Sequence, residues 1–216
     1  MLVSEIMKRN VITIRPEETI REAIRKIFAH RIRHLLVTST DGDLLGVLSD
    51  RDLREAAPSR LSLNEEEFRV LDHPVSTIMT EEVITCHPSD FVEEAAHLLY
   101  ENKIGCLPVL SHGKVVGIIT ESDLLHTLVE LMGVHQPSSH VEVEVEDQIG
   151  SLADVAQIFK KAGVNVYSVL IQPAETIHRK RLVFRVQTID PRRLVKRLEE
   201  EGVKVLWPKK WVDADE

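Results

Sequence analysis

Aromatic side chains are scarce, at 4% of the 216 residues, so a core has to rest on Val, Ile, Leu and Ala. Cysteine occurs only twice, as Cys86 and Cys106, with no C-x-x-C spacing, and a reduced, cytoplasmic setting fits this best. No stretch of about 18 apolar residues exists, so no membrane-spanning helix is expected. The first residues, MLVSEIMKRN, lack the apolar run of a signal peptide. There is no G-x-S-x-G, no Walker loop and no H-E-x-x-H, and the pair His30 and His34 has no carboxylate spaced to join it. Neither catalysis, a metal nor a cofactor is therefore expected. The formal charge is −8, and Lys and Arg balance Asp and Glu over residues 140–216, so the excess lies in residues 1–139. An acidic body opposes general nucleic-acid binding, which needs cations to displace counterions.

What the chain does have is an internal repeat. Val3-Ser4-Glu5-Ile6-Met7 returns as Val75-Ser76-Thr77-Ile78-Met79, Val11-Ile12-Thr13 as Val83-Ile84-Thr85, and Pro16 as Pro88, all at an offset of 72. Gly46 to Leu53 returns as Gly117 to Leu124 at an offset of 71, with the missing residue absorbed in a turn. Each copy predicts the same elements. A short extended piece precedes a Pro. A helix follows, with Ile20, Ala23, Ile24, Ile27 and Phe28, or Val92, Ala95, Ala96, Leu99 and Tyr100, on one face. Then come two strands joined by Asp41-Gly42 or His112-Gly113, and a last helix after Ser49 or Thr120.

Beyond residue 139 the rhythm changes. His140 to Val145 alternates strictly, as a half-buried strand does. Leu152–Ala162 is an amphipathic helix stopped by Gly163. Strands are expected at Asn165–Ile171, Arg181–Thr188 and Val203–Trp207, with a helix over Pro191–Glu201. The order βαββαβ is that of a ferredoxin-like sandwich, and the fold class is α+β. Expected boundaries are 1–57 and 75–133 for the repeats, 58–74 and 134–139 for linkers, and 140–212 for the last domain.

In both copies a Gly-ended apolar strand runs into a helix through [Ser/Thr]-x-x-Asp. The hydroxyl and the carboxylate share one side of the helix's first turn. A carboxylate there can accept both hydroxyls of a ribose, and the hydroxyl with the helix N–H groups can hold a phosphate or sugar oxygen. Helix capping alone also selects this pattern, but two matches at one period strengthen the ligand reading.

These residues resemble the CBS-domain pair, or Bateman module, over about residues 3–57 and 75–132. The family's [Ile/Leu]-Pro-Val strand stands as Leu107-Pro108-Val109 and departs from the pattern as Leu35-Leu36-Val37. The resemblance implies two pseudo-symmetric β-α-β-β-α repeats with AMP, ADP, ATP or a related adenosine compound bound between their sheets. It assigns the ribose-binding carboxylate to Asp52 and Asp123, the hydroxyl to Ser49 and Thr120, and the early threonine to Thr13 and Thr85. One implied pocket groups Thr120 and Asp123 with Thr13, Arg33 and His34. The other groups Ser49 and Asp52 with Thr85, Gly105 and Cys106. Phosphate-contacting positions fall on His30-Arg31 and on Asn102-Lys103. The Asp123 pocket is expected to bind nucleotide more tightly, because it faces the richer set of cations, with Leu36 as the main threat to that ranking.

The third segment resembles the ACT domain over about residues 140–208. The family's Asp-x-Pro-Gly-x-Leu turn stands as Asp147-Gln148-Ile149-Gly150-Ser151-Leu152, with Ile149 in place of Pro, and Asn165 matches its Gly-x-Asn. This implies an amino-acid site at Asp147, Ile149, Gly150, Ser151, Leu152 and Asn165, and pairing of sheets between copies. The order CBS–CBS–ACT is similar to the AcuB type, named for acetoin utilisation. The implied function is a non-catalytic sensor, a homodimer or higher even oligomer that relays ligand binding to a regulated protein. Leu36 and Ile149 favour an alternative, a dimeric scaffold with degenerate pockets; an enzyme with its site at the dimer interface is the third reading.

Overall fold

The structure, a computed structural model, describes residues 1–58 and 65–209. Residues 59–64 of the first expected linker and 210–212 of the last expected domain lie outside the described residues. The elements run α1 (Val3–Ile6), β1 (Thr13–Ile14), α2 (Ile20–His30), β2 (His34–Thr38), β3 (Leu44–Ser49), α3 (Asp50–Ala56) and α4 (Glu65–Phe68). They continue with α5 (Val92–Asn102), β4 (Cys106–Ser111), β5 (Lys114–Thr120), α6 (Glu121–Leu131), β6 (Ser139–Glu146) and α7 (Ser151–Ala162). Last come β7 (Val166–Pro173), β8 (Arg179–Val186), α8 (Arg192–Glu200) and β9 (Lys204–Trp207).

The chain divides into two compact units, Met1–Leu125 and His126 onward. The division falls within α6. Ser168 Oγ donates to the Met132 carbonyl at 3.1 Å, and Gly133 lies against Tyr167, so the residues that follow α6 pack beside β7.

In the first unit, β1 pairs parallel to β2, and β2 antiparallel to β3, with Leu36 opposite Val47. β4 and β5 form the matching hairpin, and Cys86 bridges Val109 in parallel where the second copy of β1 is expected. His112 and Gly113 both have positive φ, as a two-residue hairpin turn of this twist requires. The core of the first repeat holds Ile14, Ile20, Ala23, Leu35, Val37, Leu48 and Leu53. That of the second holds Ala95, Leu99, Leu107, Val109 and Ile119. Burial of each large aliphatic side chain stabilises by about 1.5–3 kcal/mol.

The leading segments change places. Val75 N–H donates to the Glu18 carbonyl at 2.8 Å, and Val3 N–H to that of Asp90 at 2.9 Å. Thr80 and Val47 exchange both backbone bonds, at 2.9 and 3.0 Å, as do Lys8 and Ile118. Val75 thereby joins the core of the first repeat, and Val3 and Met7 that of the second. The crossings need Gly46 and Gly117, over which Met79 and Met7 lie. A third cluster of Leu36, Cys106 and Ile118 joins the two hairpins.

In the second unit the sheet order is β7-β8-β6-β9, the ferredoxin-like arrangement expected from the order of elements. α7 and α8 cover one face, with Val155, Ile158, Phe159, Leu194 and Leu198 packed on Val141, Val143, Leu182 and Phe184. Phe159 meets Phe184 edge to face at 4.6 Å.

Candidate functional site

Two related cavities lie in the first unit, each built from both repeats. The larger, of about 500 Å³, brings Ser49 and Asp52 together with Val83, Ile84, Lys103, Gly105 and Cys106. The smaller, of about 230 Å³, brings Thr120 together with Val11, Ile12, Arg31, Arg33 and His34. Ser49 and Asp52 thus share a cavity with Gly105 and Cys106, and Thr120 shares one with Arg33 and His34, while Asp123, Thr13 and Thr85 line neither. Arg33 and His34 line both.

The hydroxyl and carboxylate form the same capping box twice. Ser49 N–H and Oγ–H both donate to Asp52 Oδ2 at 2.7 Å, and Asp52 N–H returns a bond to Ser49 Oγ. Thr120 N–H and Oγ–H donate to Asp123 Oδ2 at 3.0 and 2.6 Å. Capping and ligand contact are thus compatible, because the cap uses one carboxylate oxygen and fixes the direction of the other. Asp123 Oδ1 lies 2.7 Å from Lys8 Nζ. No cation forms an ion pair with Asp52 among the described residues, and its carboxylate lines the larger cavity.

The basic residues are aimed by backbone geometry. α2 and α5 both end in a left-handed residue, Arg31 with φ 52° and Lys103 with φ 53°, whose N–H groups close the last turn. A non-glycine residue there costs about 1 kcal/mol, and a cation at a helix C-terminus offsets part of that through the dipole. Both side chains line cavities. Arg33 Nη2–H also donates to Ser122 Oγ at 2.8 Å. His34 packs so tightly on Gly105 that a β-carbon there would lie 2.7 Å from its Nε2. Burial, helped by the Arg33 charge, holds the His34 imidazole below its ordinary value, while Asp50, Glu121 and Asp52 pull the other way. Burial pushes the Cys106 thiol up to about 12.

Several expected site residues stand elsewhere. His30 is exposed and lines neither cavity, and Asn102 turns back to cap its own helix through the Leu98 carbonyl at 2.8 Å. Thr13 and Thr85 lie one residue beyond the lining pairs Val11–Ile12 and Val83–Ile84. Leu36 is fully buried between the hairpins, so it does not block a pocket. The cations facing Asp52 also exceed the expected set of Asn102 and Lys103, because Arg33, Arg51 and Arg54 join Lys103 in that cavity. Sequence reasoning missed Lys8, Thr80, Arg51 and Glu82. Carrying the repeat one residue past Met7 and Met79 pairs Lys8 with Thr80 and would have found both.

In the second unit a cavity of about 370 Å³ is lined by Gly150, Ser151, Leu152, Ile171 and Lys180. Gly150, with φ 98°, lets the chain turn directly into α7. Asp147 pairs with Lys180 at 2.7 Å. Ile149 points fully into solvent. Asn165 bonds to Gln187 near the start of β7, whereas Ile171 of the cavity lies near its other end, so the fold does not bring Asn165 to this site.

The CBS domain family matches residues 3–59 and 75–130, and the ACT domain family residues 139–203. A CBS domain-containing protein of Dictyostelium discoideum is 36% identical over 143 residues, which is 64% of this chain and 99% of that one. An L-aspartate semialdehyde sulfurtransferase of Methanosarcina acetivorans is 31% identical over 57% of this chain, but the match spans 23% of the enzyme. Among solved structures, an acetoin utilization protein (AcuB) from Vibrio cholerae superposes with a TM-score of 0.54 at 30% identity, over 62% of this chain and 95% of that one. The CBS domain pair of protein MJ0100, solved with 5′-methylthioadenosine and S-adenosyl-L-methionine, gives 0.52 at 27% identity, over 60% of this chain and 97% of that one.

Proposed function

The chain belongs to the CBS-domain family, as a pair of repeats followed by an ACT domain, and from that premise we propose that it is a non-catalytic regulatory protein binding AMP, ADP, ATP or a related adenosine compound between its repeats. The observation that carries this reading is the doubled capping box: a carboxylate fixed by one oxygen at each helix start, with its hydroxyl partner and several cations lining the cleft beside it. The adenosine compounds held by the similar CBS pair support the ligand class. The enzyme names among the relatives belong to much longer chains, of which this one matches about a quarter, and speak for a module shared by fusion.

A ligand bound across the cleft touches both repeats at once. It stabilises whichever packing of the hairpins suits it, and differential affinity for two packings is what signalling needs. The cavity beside Gly150 supports amino-acid binding at the ACT domain, with the α7 N–H groups facing a carboxylate. Phe28 and Tyr100, at equivalent places on α2 and α5, are 69% and 79% exposed and support a homodimer. The buried free thiols speak for a reducing compartment such as the cytoplasm; among the described residues no helix is long and apolar enough to cross a membrane.

The test is calorimetric titration with AMP, ATP, 5′-methylthioadenosine and S-adenosylmethionine. Micromolar binding of any of them, lost in a double Asp52→Asn, Asp123→Asn variant, is the expected result. Absence of heat with all four at millimolar concentration would overturn the sensor reading in favour of a scaffold.

A further inference from the structure

The two clefts are equivalent in backbone and unequal in charge. Lys8 and Thr80 hold the same place: each exchanges two backbone hydrogen bonds with the other repeat's second hairpin strand, Lys8 with Ile118 and Thr80 with Val47. The backbone therefore pins residue 8 beside Thr120 and Asp123. Only there does the residue carry a charge, and it spends it on the carboxylate, Nζ to Oδ1 at 2.7 Å. The smaller cleft is lined by three cations, Lys8, Arg31 and Arg33, and by no acid. In the larger cleft four acids, among them Glu82 and Glu121, balance four cations.

We propose that Lys8 makes the Thr120/Asp123 cleft selective for phosphorylated adenosine, while the Ser49/Asp52 cleft accepts uncharged adenosine derivatives as well. The inference rests on the adenosine reading and adds to it which ligand each cleft takes. A ribose diol that binds Asp123 Oδ1 competes there with the ammonium of Lys8. An unphosphorylated nucleoside gives that ammonium nothing in return, and two guanidinium-bearing side chains stand nearby without a new counter-charge. A phosphate supplies one: its oxygens can accept from Lys8, Arg31 and Arg33 together, as charge-assisted bonds. At Asp52 no ion pair is broken, so a neutral nucleoside meets no such penalty.

The experiment titrates the full chain with AMP and, separately, with 5′-methylthioadenosine, in the wild type and in Lys8→Thr. That substitution installs the residue already accommodated at position 80. Wild type should take up two AMP and one 5′-methylthioadenosine per chain. Lys8→Thr should take up two 5′-methylthioadenosine and bind AMP at one site at least tenfold more weakly, while Lys8→Arg should keep the wild-type pattern. Matching melting curves for the unliganded proteins would show that the fold is unchanged. Two 5′-methylthioadenosine sites in the wild type, or an unchanged ligand pattern in Lys8→Thr, would overturn the assignment while leaving the adenosine reading intact. Failure of both ligands to bind the wild type would remove both.

Discussion

A β-carbon built on Gly46 would lie 2.9 Å from the carbonyl oxygen of Thr80 and 2.9 Å from the sulfur of Met79. The Met79 side chain can turn aside, but the Thr80 carbonyl cannot, because it accepts from Val47 N–H. At Gly117 the closest atom is the Met7 sulfur at 2.6 Å, and the Lys8 carbonyl stands further off at 3.2 Å. Both Gly→Ala changes should destabilise by about 1–3 kcal/mol, as overpacking does, with Gly46→Ala the worse. Urea denaturation would check this, and equal midpoints for Gly46→Ala and wild type would contradict it.

For AMP, the Asp123 cleft should be the tighter site, the order expected from the sequence. Lys8, Arg31 and Arg33 line it with no acid among them, whereas four acids offset the four cations of the Asp52 cleft. Asp123→Asn keeps an oxygen for the cap and removes the charge. It should weaken the tighter AMP site by about 1.5–3 kcal/mol, roughly ten- to a hundredfold, and Asp52→Asn should affect the weaker one. Calorimetry on the two single variants decides; a tighter site destroyed by Asp52→Asn would reverse that order.

His34 should make stability depend on mildly acidic pH. Burial, reinforced by Arg33, holds its imidazole below 6.5 in the fold. The unfolded chain therefore takes up the proton at higher pH than the folded one. The contribution is fully present above 6.5 and is lost as pH falls below it. Melting temperature should drop between about pH 7.5 and 5.5 more steeply for wild type than for His34→Gln. Parallel curves would rule the effect out.

The two thiols should be inert in the native protein. Burial pushes Cys86 up to about 11, with the Asp90 charge adding to it, and Cys106 up to about 12. The thiolate is the reacting form, so Ellman's reagent at pH 8 should titrate both only after denaturation. Rapid reaction of either thiol in the folded protein would show that its shelter opens.

The exposed Phe28 and Tyr100 should be covered in solution. Sedimentation equilibrium should give a dimer or a higher even oligomer, weakened by Phe28→Asp. A mass near the 24.5 kDa of one chain at micromolar concentration would contradict this.

The repeat was legible because its marks are local. The 72-residue offset, the helix faces and the Gly-x-x-[Ser/Thr]-x-x-Asp turns recur in order, and the ferredoxin-like order of the last unit follows from periodicity in the same way. What distinguishes the two clefts was not, because it depends on contacts between residues more than a hundred positions apart. Nothing in the sequence around Lys8 points to Asp123; the pairing exists only because backbone bonds to Ile118 carry it there. Leu36 is ambiguous in the sequence for a related reason. Its departure from Pro is visible, but whether that position faces ligand or the opposite hairpin depends on how the two sheets meet.

The exchange of leading segments gives the pair the topology of a domain-swapped dimer whose halves share one chain. Each half lends its opening residues to the other and completes its own sheet with borrowed ones. A fragment of residues 1–57 has nowhere to send its first eight residues except across the hairpin of a second fragment, and it should elute as a dimer. Joined in one chain, the two halves need not be identical, and the place where the strands cross holds a threonine in one and a lysine in the other.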